Sequence, residues 1–256
     1  MSKSNKIVNF YTNKEVKKLM PKIKDKQVNY TGMPLQKHIL LCGGTGTGKS
    51  NSLLNYIAKT SESGEPAFAH MMLVYKTYEP LYNYLEQKLG KYLTLYNGLS
   101  KFPPVSAFPD SSESNDKQIL LVFDDCVTDN DKASLKLISD YYSFGRKKGF
   151  TILFLSQSYF LTYKFFRLQS SFVILNGIAS QQDLRLITSN YSTPNCTIDM
   201  IQKMYDYCKE QEDKDDLPFM KICTYEVPIK KKFSKYFLDY LDPEDFRDKG
   251  EKKKKQ

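Results

Sequence analysis

Apolar residues recur along this chain in short bursts, and each burst is followed by a stretch with helical spacing. Lys37–Cys42 (KHILLC) runs apolar up to a glycine-rich segment, as a strand does, and Ser52–Lys59 then reads as a helix. Ala67–Lys76 predicts a second strand, Pro80–Leu89 a helix and Tyr92–Tyr96 a short third strand. Ile119–Phe123 (ILLVF) is continuously apolar, the mark of a strand covered on both faces. A helix is expected from Asp131 to Phe144, with Asn130 as its N-cap and Gly145 or Gly149 as its stop. Thr151–Leu155 and Phe172–Leu175 predict two further central strands, Ile198–Glu212 a helix, and Met220–Val227 a last strand. Strands alternating with helices imply an α/β fold with a mostly parallel sheet and helices on both faces. Ligands in such sheets bind beyond the carboxyl ends of the strands.

Gly98–Lys117 breaks this rhythm. Three prolines and the run Asp110-Ser111-Ser112-Glu113-Ser114-Asn115-Asp116 predict a loop longer than usual, of a mobile or functional kind.

Where the glycines fall identifies the first candidate chemistry. Four of the twelve lie in Gly43-Gly44-Thr45-Gly46-Thr47-Gly48-Lys49-Ser50, directly after the first strand. This is G-x-x-x-x-G-K-[ST], a loop whose backbone amides cradle a triphosphate. Glycine allows the dihedrals and the close approach. Lys49 would bring a compact charge to the β- and γ-phosphates, Ser50 a hydroxyl to Mg²⁺, and the next helix its positive end. A chance glycine turn would not also sit between an apolar strand and a helix.

The second signal is Ile119–Phe123 ending in Asp124-Asp125, about 75 residues after the loop. A buried strand delivering an acid at its tip suits Asp124 to the metal shell and Asp125 to polarising water. Asp125 is shorter than the glutamate more often seen in that role. Alone, the pattern equally describes a strand and a polar turn.

Third, Thr151–Leu155 runs on into Ser156-Gln157, which places an amide at another strand tip, able to report a γ-phosphate. Fourth, Gly145-Arg146-Lys147-Lys148-Gly149 offers either a solvated helix cap or an arginine that reaches a neighbouring subunit's nucleotide. Arg167 and Arg185 are its rivals; Arg247 is the only other arginine.

Charge changes the picture less than its total suggests. The chain of 256 residues has a net charge of +9, with 41% hydrophobic and 14% aromatic residues, so a folded domain is expected. The surplus is terminal. Residues 1–28 carry +6, residues 230–256 carry +4, and 29–229 carry −1. The expected organisation is therefore a basic N-terminal segment, a near-neutral P-loop ATPase domain over 29–229, and a basic C-terminal tail. Lys230-Lys231-Lys232 and Lys252–Lys255 read as solvated runs, or as contacts to a phosphate backbone. No run of about 18 apolar residues predicts a membrane span, and Met1–Lys6 lacks a signal peptide's apolar core. Five cysteines without a CxxC pair and two distant histidines, His38 and His70, argue against zinc and for a reducing compartment. Cys42, Cys126 and both histidines are expected to be structural.

Taken together, GGTGTGKS, ILLVFDD and GRKKGFTILFLSQS, in that order, resemble the FtsK–HerA superfamily, and within it the viral genome-packaging ATPases of poxviruses, giant viruses and virophages, the virophage type above all. The likeness spans residues 30–190. It implies an additional-strand P-loop fold and an ATP- and Mg²⁺-dependent motor that drives double-stranded DNA into a capsid. By the same resemblance Gln157 is the γ-phosphate sensor and Arg146 occupies the family's Gly-Arg position, followed here by Lys147 where histidine is common. Partners implied are double-stranded DNA, bound without sequence preference, further copies in a pentameric or hexameric ring, and a capsid or portal-vertex protein. The implied location is the cytoplasm of an infected cell. A helicase, a partition ATPase or a small nucleotide kinase is the alternative. A kinase would want an arginine-rich lid, and a GTPase an N-K-x-D reader, which Asn13-Lys14-Glu15-Val16 fails at the aspartate.

Overall fold

The computed structural model of the chain describes residues 12–19, 25–111, 118–126, 131–178, 180–210, 216–225 and 227–248. Among them nine strands form one sheet: β1 (His38–Cys42), β2 (His70–Tyr75), β3 (Leu93–Asn97), β4 (Ile119–Asp124), β5 (Phe150–Ser156), β6 (Phe172–Leu175), β7 (Met220–Cys223), β8 (Phe233–Lys235) and β9 (Asp239–Leu241). Their spatial order is β3-β2-β4-β5-β1-β6-β7-β8-β9. The first six pair in parallel and the last three antiparallel. β5 separates β4 from β1, the additional-strand order expected from the resemblance.

Alternate residues of each central strand feed opposite faces of the sheet. Ile39, Leu41, Leu120 and Val122 join Leu53, Tyr56, Tyr82 and Leu85 in one core. That face carries α3 (Lys49–Ser61) and α4 (Pro80–Leu89), whose side chains enter this core, with α2 (Val28–Thr31) against α3; α1 (Lys14–Leu19) comes first in the chain. Leu40, Cys42, Leu121 and Phe123 join Ile138, Tyr141, Phe166, Ile187 and Met204 in the other. This second core lies under α5 (Lys132–Phe144), α6 (Lys164–Gln169), α7 (Gln181–Tyr191) and α8 (Ile198–Lys209). Strands that face protein on both sides are mostly apolar, which explains the HILLC, ILLVF and FTILFL runs.

Several expectations shift in detail. The N-cap of α5 is Asp131, whose carboxylate accepts from Ser134 N; Asn130 lies outside the described residues. The segment 98–111 is anchored to the core. Phe102 and Val105 are buried, and Tyr141 Oη donates to Pro103 O at 2.8 Å. Residues 112–117 lie outside the described residues. The sheet does not end at residue 229: Phe233, Phe237 and Leu241 are buried and carry β8 and β9 onto its edge. The lysines there divide by position. Lys230 pairs with Asp242 at the surface, whereas Lys235 is buried. Residues 252–255 lie outside the described residues. Among those described, no helix is long and apolar enough to cross a membrane. All five cysteines are free, and Cys42, Cys196, Cys208 and Cys223 are buried.

Candidate nucleotide site

The carboxyl ends of β1, β4, β5 and β6 meet at one rim of the sheet, and most of the candidate residues meet there with them. The segment 43–48 leaves β1 and turns into α3, which starts at Lys49. Gly48 caps this helix with φ +90°, a conformation that side chains resist. The first amides of α3 have no partner within the helix, which leaves them for an anion. Thr47 folds inward, its Oγ1 donating to Gly44 O at 2.8 Å. Lys49 Nζ lies over the loop and donates to Gly43 O at 2.9 Å and Gly44 O at 3.1 Å. Thr45 and Gly46 form the exposed crest.

The loop is braced from β6. Asn176, fully buried at that strand's end, donates from Nδ2 to Ser52 Oγ at 2.7 Å and Gly48 O at 3.3 Å. Gly177 O accepts from Gly44 N at 3.0 Å. A Cβ on Gly177 would stand 2.7 Å from Thr47 Cγ2, so this position requires glycine for close approach. Neither residue was picked out from the sequence. The signal was available, since a polar residue ending the apolar FVIL strand is the same feature that singled out Gln157.

The acids assemble on the other side of the loop. Ser50 Oγ donates to Glu79 Oε2 at 2.9 Å. Glu79 is the N-cap position of α4, just past the tip of β2, with Pro80 at the helix's first turn. The sequence reading missed it; an acid before proline after an apolar strand was the available cue. Asp124 ends β4, 9% exposed, and accepts a short hydrogen bond from Tyr82 Oη. Burial pushes the Asp124 carboxyl up to about 6, the Tyr82 bond opposes this, and the charges of Asp125 and Glu79 add to the rise while Lys49 offsets part of it. Tyr82 is itself pushed well above the ordinary phenol value by burial and by this bond.

Asp125 follows with φ +47° and lies half-buried. Gln157, exposed just beyond β5, donates from Nε2 to Asp125 Oδ2 at 2.7 Å. The two residues drawn from separate motifs thus touch. Cys126 turns away beneath them, its Sγ donating to Val74 O at 3.0 Å, and burial raises its thiol to about 12. It is a packed side chain, as expected. His38 sits in β1 and bonds Gln169 O through Nδ1 at 3.1 Å, and His70 bonds Thr94 Oγ1 at 2.9 Å.

Ser50, Glu79 and Asp124 supply hard oxygen donors. Among the described residues no cluster of three or more His, Cys, Asp or Glu side chains is gathered for a metal. That set fits Mg²⁺, which takes one or two protein oxygens and completes its shell with phosphate and water. It does not fit a cation that needs a full protein cage.

Arg146 is not brought to this rim. It is exposed in the 3₁₀ turn Gly145–Lys148 before β5, at the opposite end of the sheet. The length of β5 sets it about 20 Å from its own phosphate loop, at ~3.3 Å per residue. Arg167 lies 5.3 Å from the Tyr159 ring centre, and Arg185 is exposed on α7.

No family model matches the chain, and no curated protein does. Solved structures do match. The genome packaging NTPase B204 from Sulfolobus turreted icosahedral virus 2, in complex with AMPPCP, superposes with TM-score 0.53 at 11% identity over 78% of this chain and 97% of that one. Its ATP-gammaS complex gives TM-score 0.50 at 11% identity over 78% and 97%. B204, the DNA-packaging ATPase from Sulfolobus Turreted Icosahedral Virus, gives TM-score 0.52 at 10% identity over 80% and 98%. At such identity it is the fold that is shared: this chain has the α/β fold of the P-loop NTPases.

Proposed function

We propose that this chain is an ATP-hydrolysing motor that translocates double-stranded DNA and packages a viral genome into a preformed capsid. The observation that carries the reading is the meeting of Lys49, Ser50, Glu79, Asp124, Asp125 and Gln157 at one rim of a parallel sheet. The shared fold with B204, a genome packaging NTPase solved with AMPPCP and ATP-gammaS, supports ATP as the nucleotide and DNA as the cargo.

In this reading the amides of 43–50 and Lys49 hold the phosphates. Ser50 and Asp124 hold Mg²⁺, with Glu79 orienting the Ser50 hydroxyl. Mg²⁺, when bound, neutralises charge on the β- and γ-phosphates. Asp125 accepts a proton from the attacking water. Gln157 fixes the Asp125 carboxylate and contacts the γ-phosphate, since an amide both donates and accepts. Arg146, far from its own loop, reaches a neighbour's nucleotide in a pentameric or hexameric ring, with Arg167 and Arg185 as the other arginines able to do so. The basic ends of the chain grip the DNA backbone or a capsid or portal-vertex protein without sequence preference. The site of action is the cytoplasm of the infected cell.

The test is ATP turnover with and without double-stranded DNA, together with the mass of the assembly. The reading expects turnover that rises with DNA and with protein concentration, from a closed oligomer. DNA-independent turnover by a monomer would overturn it in favour of a nucleotide kinase. Strand separation during turnover would favour a helicase.

A further inference from the structure

Directly after Gln157 the chain folds back on itself. Ser156 Oγ donates to Ser158 O at 2.9 Å, Thr162 Oγ1 to Ser158 O at 2.7 Å, and Leu161 N to Ser158 Oγ at 3.1 Å. The tip of this turn exposes Phe160 and Leu161, while the Tyr159 ring packs into the core. The polar clamp that reaches the turn from outside it is Asp183. It lies in the first turn of α7 and is 3% exposed. Its Oδ1 accepts from Ser158 Oγ at 2.9 Å and from Phe160 N at 2.7 Å, and its Oδ2 accepts from Tyr159 N at 3.1 Å. A carboxylate is a costly group to bury, and here all three donors that compensate it belong to the residues following Gln157. An apolar side chain at 183 would leave the Ser158 hydroxyl and the Tyr159 and Phe160 amides without this acceptor.

The connection that carries Asp183 also braces the phosphate loop. Asn176 and Gly177 hold Gly48, Ser52 and Gly44, and six residues further on Asp183 holds 158–160. The end of β6 and the first turn of α7 thus reference the strand tip of β5 to the phosphate cradle.

We propose that Asp183 is a positioning residue for hydrolysis: by clamping the Ser158 hydroxyl and the backbone amides of Tyr159 and Phe160 it sets the Gln157 amide against Asp125 and the γ-phosphate. This rests on the reading of Gln157 given above. A misplacement of about 1 Å at a reacting group costs up to roughly 10²-fold in rate, so a clamp on the next residue is a sensitive control.

The experiment compares Asp183→Asn, Ser158→Ala, Gln157→Ala and the double variant Asp183→Asn/Gln157→Ala in the full chain with DNA. Asp183→Asn and Ser158→Ala should each lower kcat about 10-fold and leave the KM for ATP and the affinity for ATP-gammaS within about twofold. In the Gln157→Ala background, Asp183→Asn should add less than about twofold, because its route is already cut. Hydrogen exchange at the Tyr159 and Phe160 amides should accelerate in Asp183→Asn while residues 43–50 stay protected. A further loss of about 10-fold in the double variant, or a rise in KM with exposure of 43–50, overturns the proposal in favour of a merely structural carboxylate. If Gln157→Ala alone leaves turnover intact, the reading of Gln157 fails instead, and Asp183 loses its route with it.

Discussion

The two halves of the sheet use the same residue types for opposite ends. In the parallel half, strands β4, β5, β1 and β6 are apolar up to the tip apart from His38 and Thr151 near the starts of β1 and β5, and charge collects at one rim where Asp124, Asp125 and Gln157 touch or neighbour one another. In the antiparallel half, polar residues stand within the strands. Lys221 in β7 is 2% exposed, donating to Thr31 O at 3.1 Å and to Phe237 O, with the Tyr240 ring 5.4 Å away. Ser234 and Lys235 in β8 are buried as well. Lys49 and Lys221 both donate to backbone carbonyls, but Lys49 does so beside the first amides of a helix and Lys221 does so between α2 and the turn that joins β8 to β9. The lesson is that a lysine's neighbours, and not its burial, separate a ligand contact from a structural staple.

The comparison breaks if variants in the two halves have the same phenotype. Lys49→Ala should lower ATP turnover by about 10³-fold, as loss of a transition-state donor does, with an unchanged melting temperature; a fall in melting temperature would make Lys49 structural. Phe233→Ala empties a fully buried site in β8. It should destabilise the fold by about 3–5 kcal/mol in denaturant titration while leaving kcat per folded molecule intact. Glu79→Gln sharpens the contrast within the active half. It should weaken Mg²⁺ binding by roughly 10–100-fold, followed by titration of turnover and by Mn²⁺ resonance, with little change in stability.

A further expected effect in the antiparallel half concerns pH. Burial lowers the Lys221 pKa from 10.5 to about 8. Between those values the unfolded chain retains a proton that the folded chain has released, so stability rises with pH across that window. The rise is about 3 kcal/mol when the full shift is expressed. Lys221→Met should remove that rise from chemical denaturation curves at pH 8 and pH 10, and an equal slope in both proteins would mean that Lys221 does not titrate there.

How much of this was legible in the sequence follows from how each element is specified. The parallel strands announced themselves because burial on two faces demands a mostly apolar run, and the phosphate loop because its glycines are dictated by backbone geometry. β8 and β9 did not, since FSK and DYL are short and mix polar with apolar residues, and the neighbouring lysines masked Phe233 and Leu241. α7 escaped because QQDLRLITSNY is polar over most of its surface and buries only Asp183, Leu184, Ile187, Thr188 and Tyr191. The site divided along the same line. Lys49, Ser50, Asp124, Asp125 and Gln157 stand in motifs with fixed spacing. Glu79, Tyr82, Asn176 and Asp183 are brought in by tertiary folding, and nothing local marks a carboxylate as facing a serine 29 residues away.

The backbone at Asp125 carries a final consequence. Its φ of +47° lies in the left-handed well, which aspartate and asparagine enter more readily than longer residues. The tip of β4 therefore favours a short acid on conformational grounds alone, before any reaction is considered. A short acid leaves a span to be bridged, and Gln157 bridges it from β5 at 2.7 Å. The identities at 125 and 157 form a matched pair of lengths. A longer acid at 125 would meet a less favourable backbone and a partner already in contact at 157.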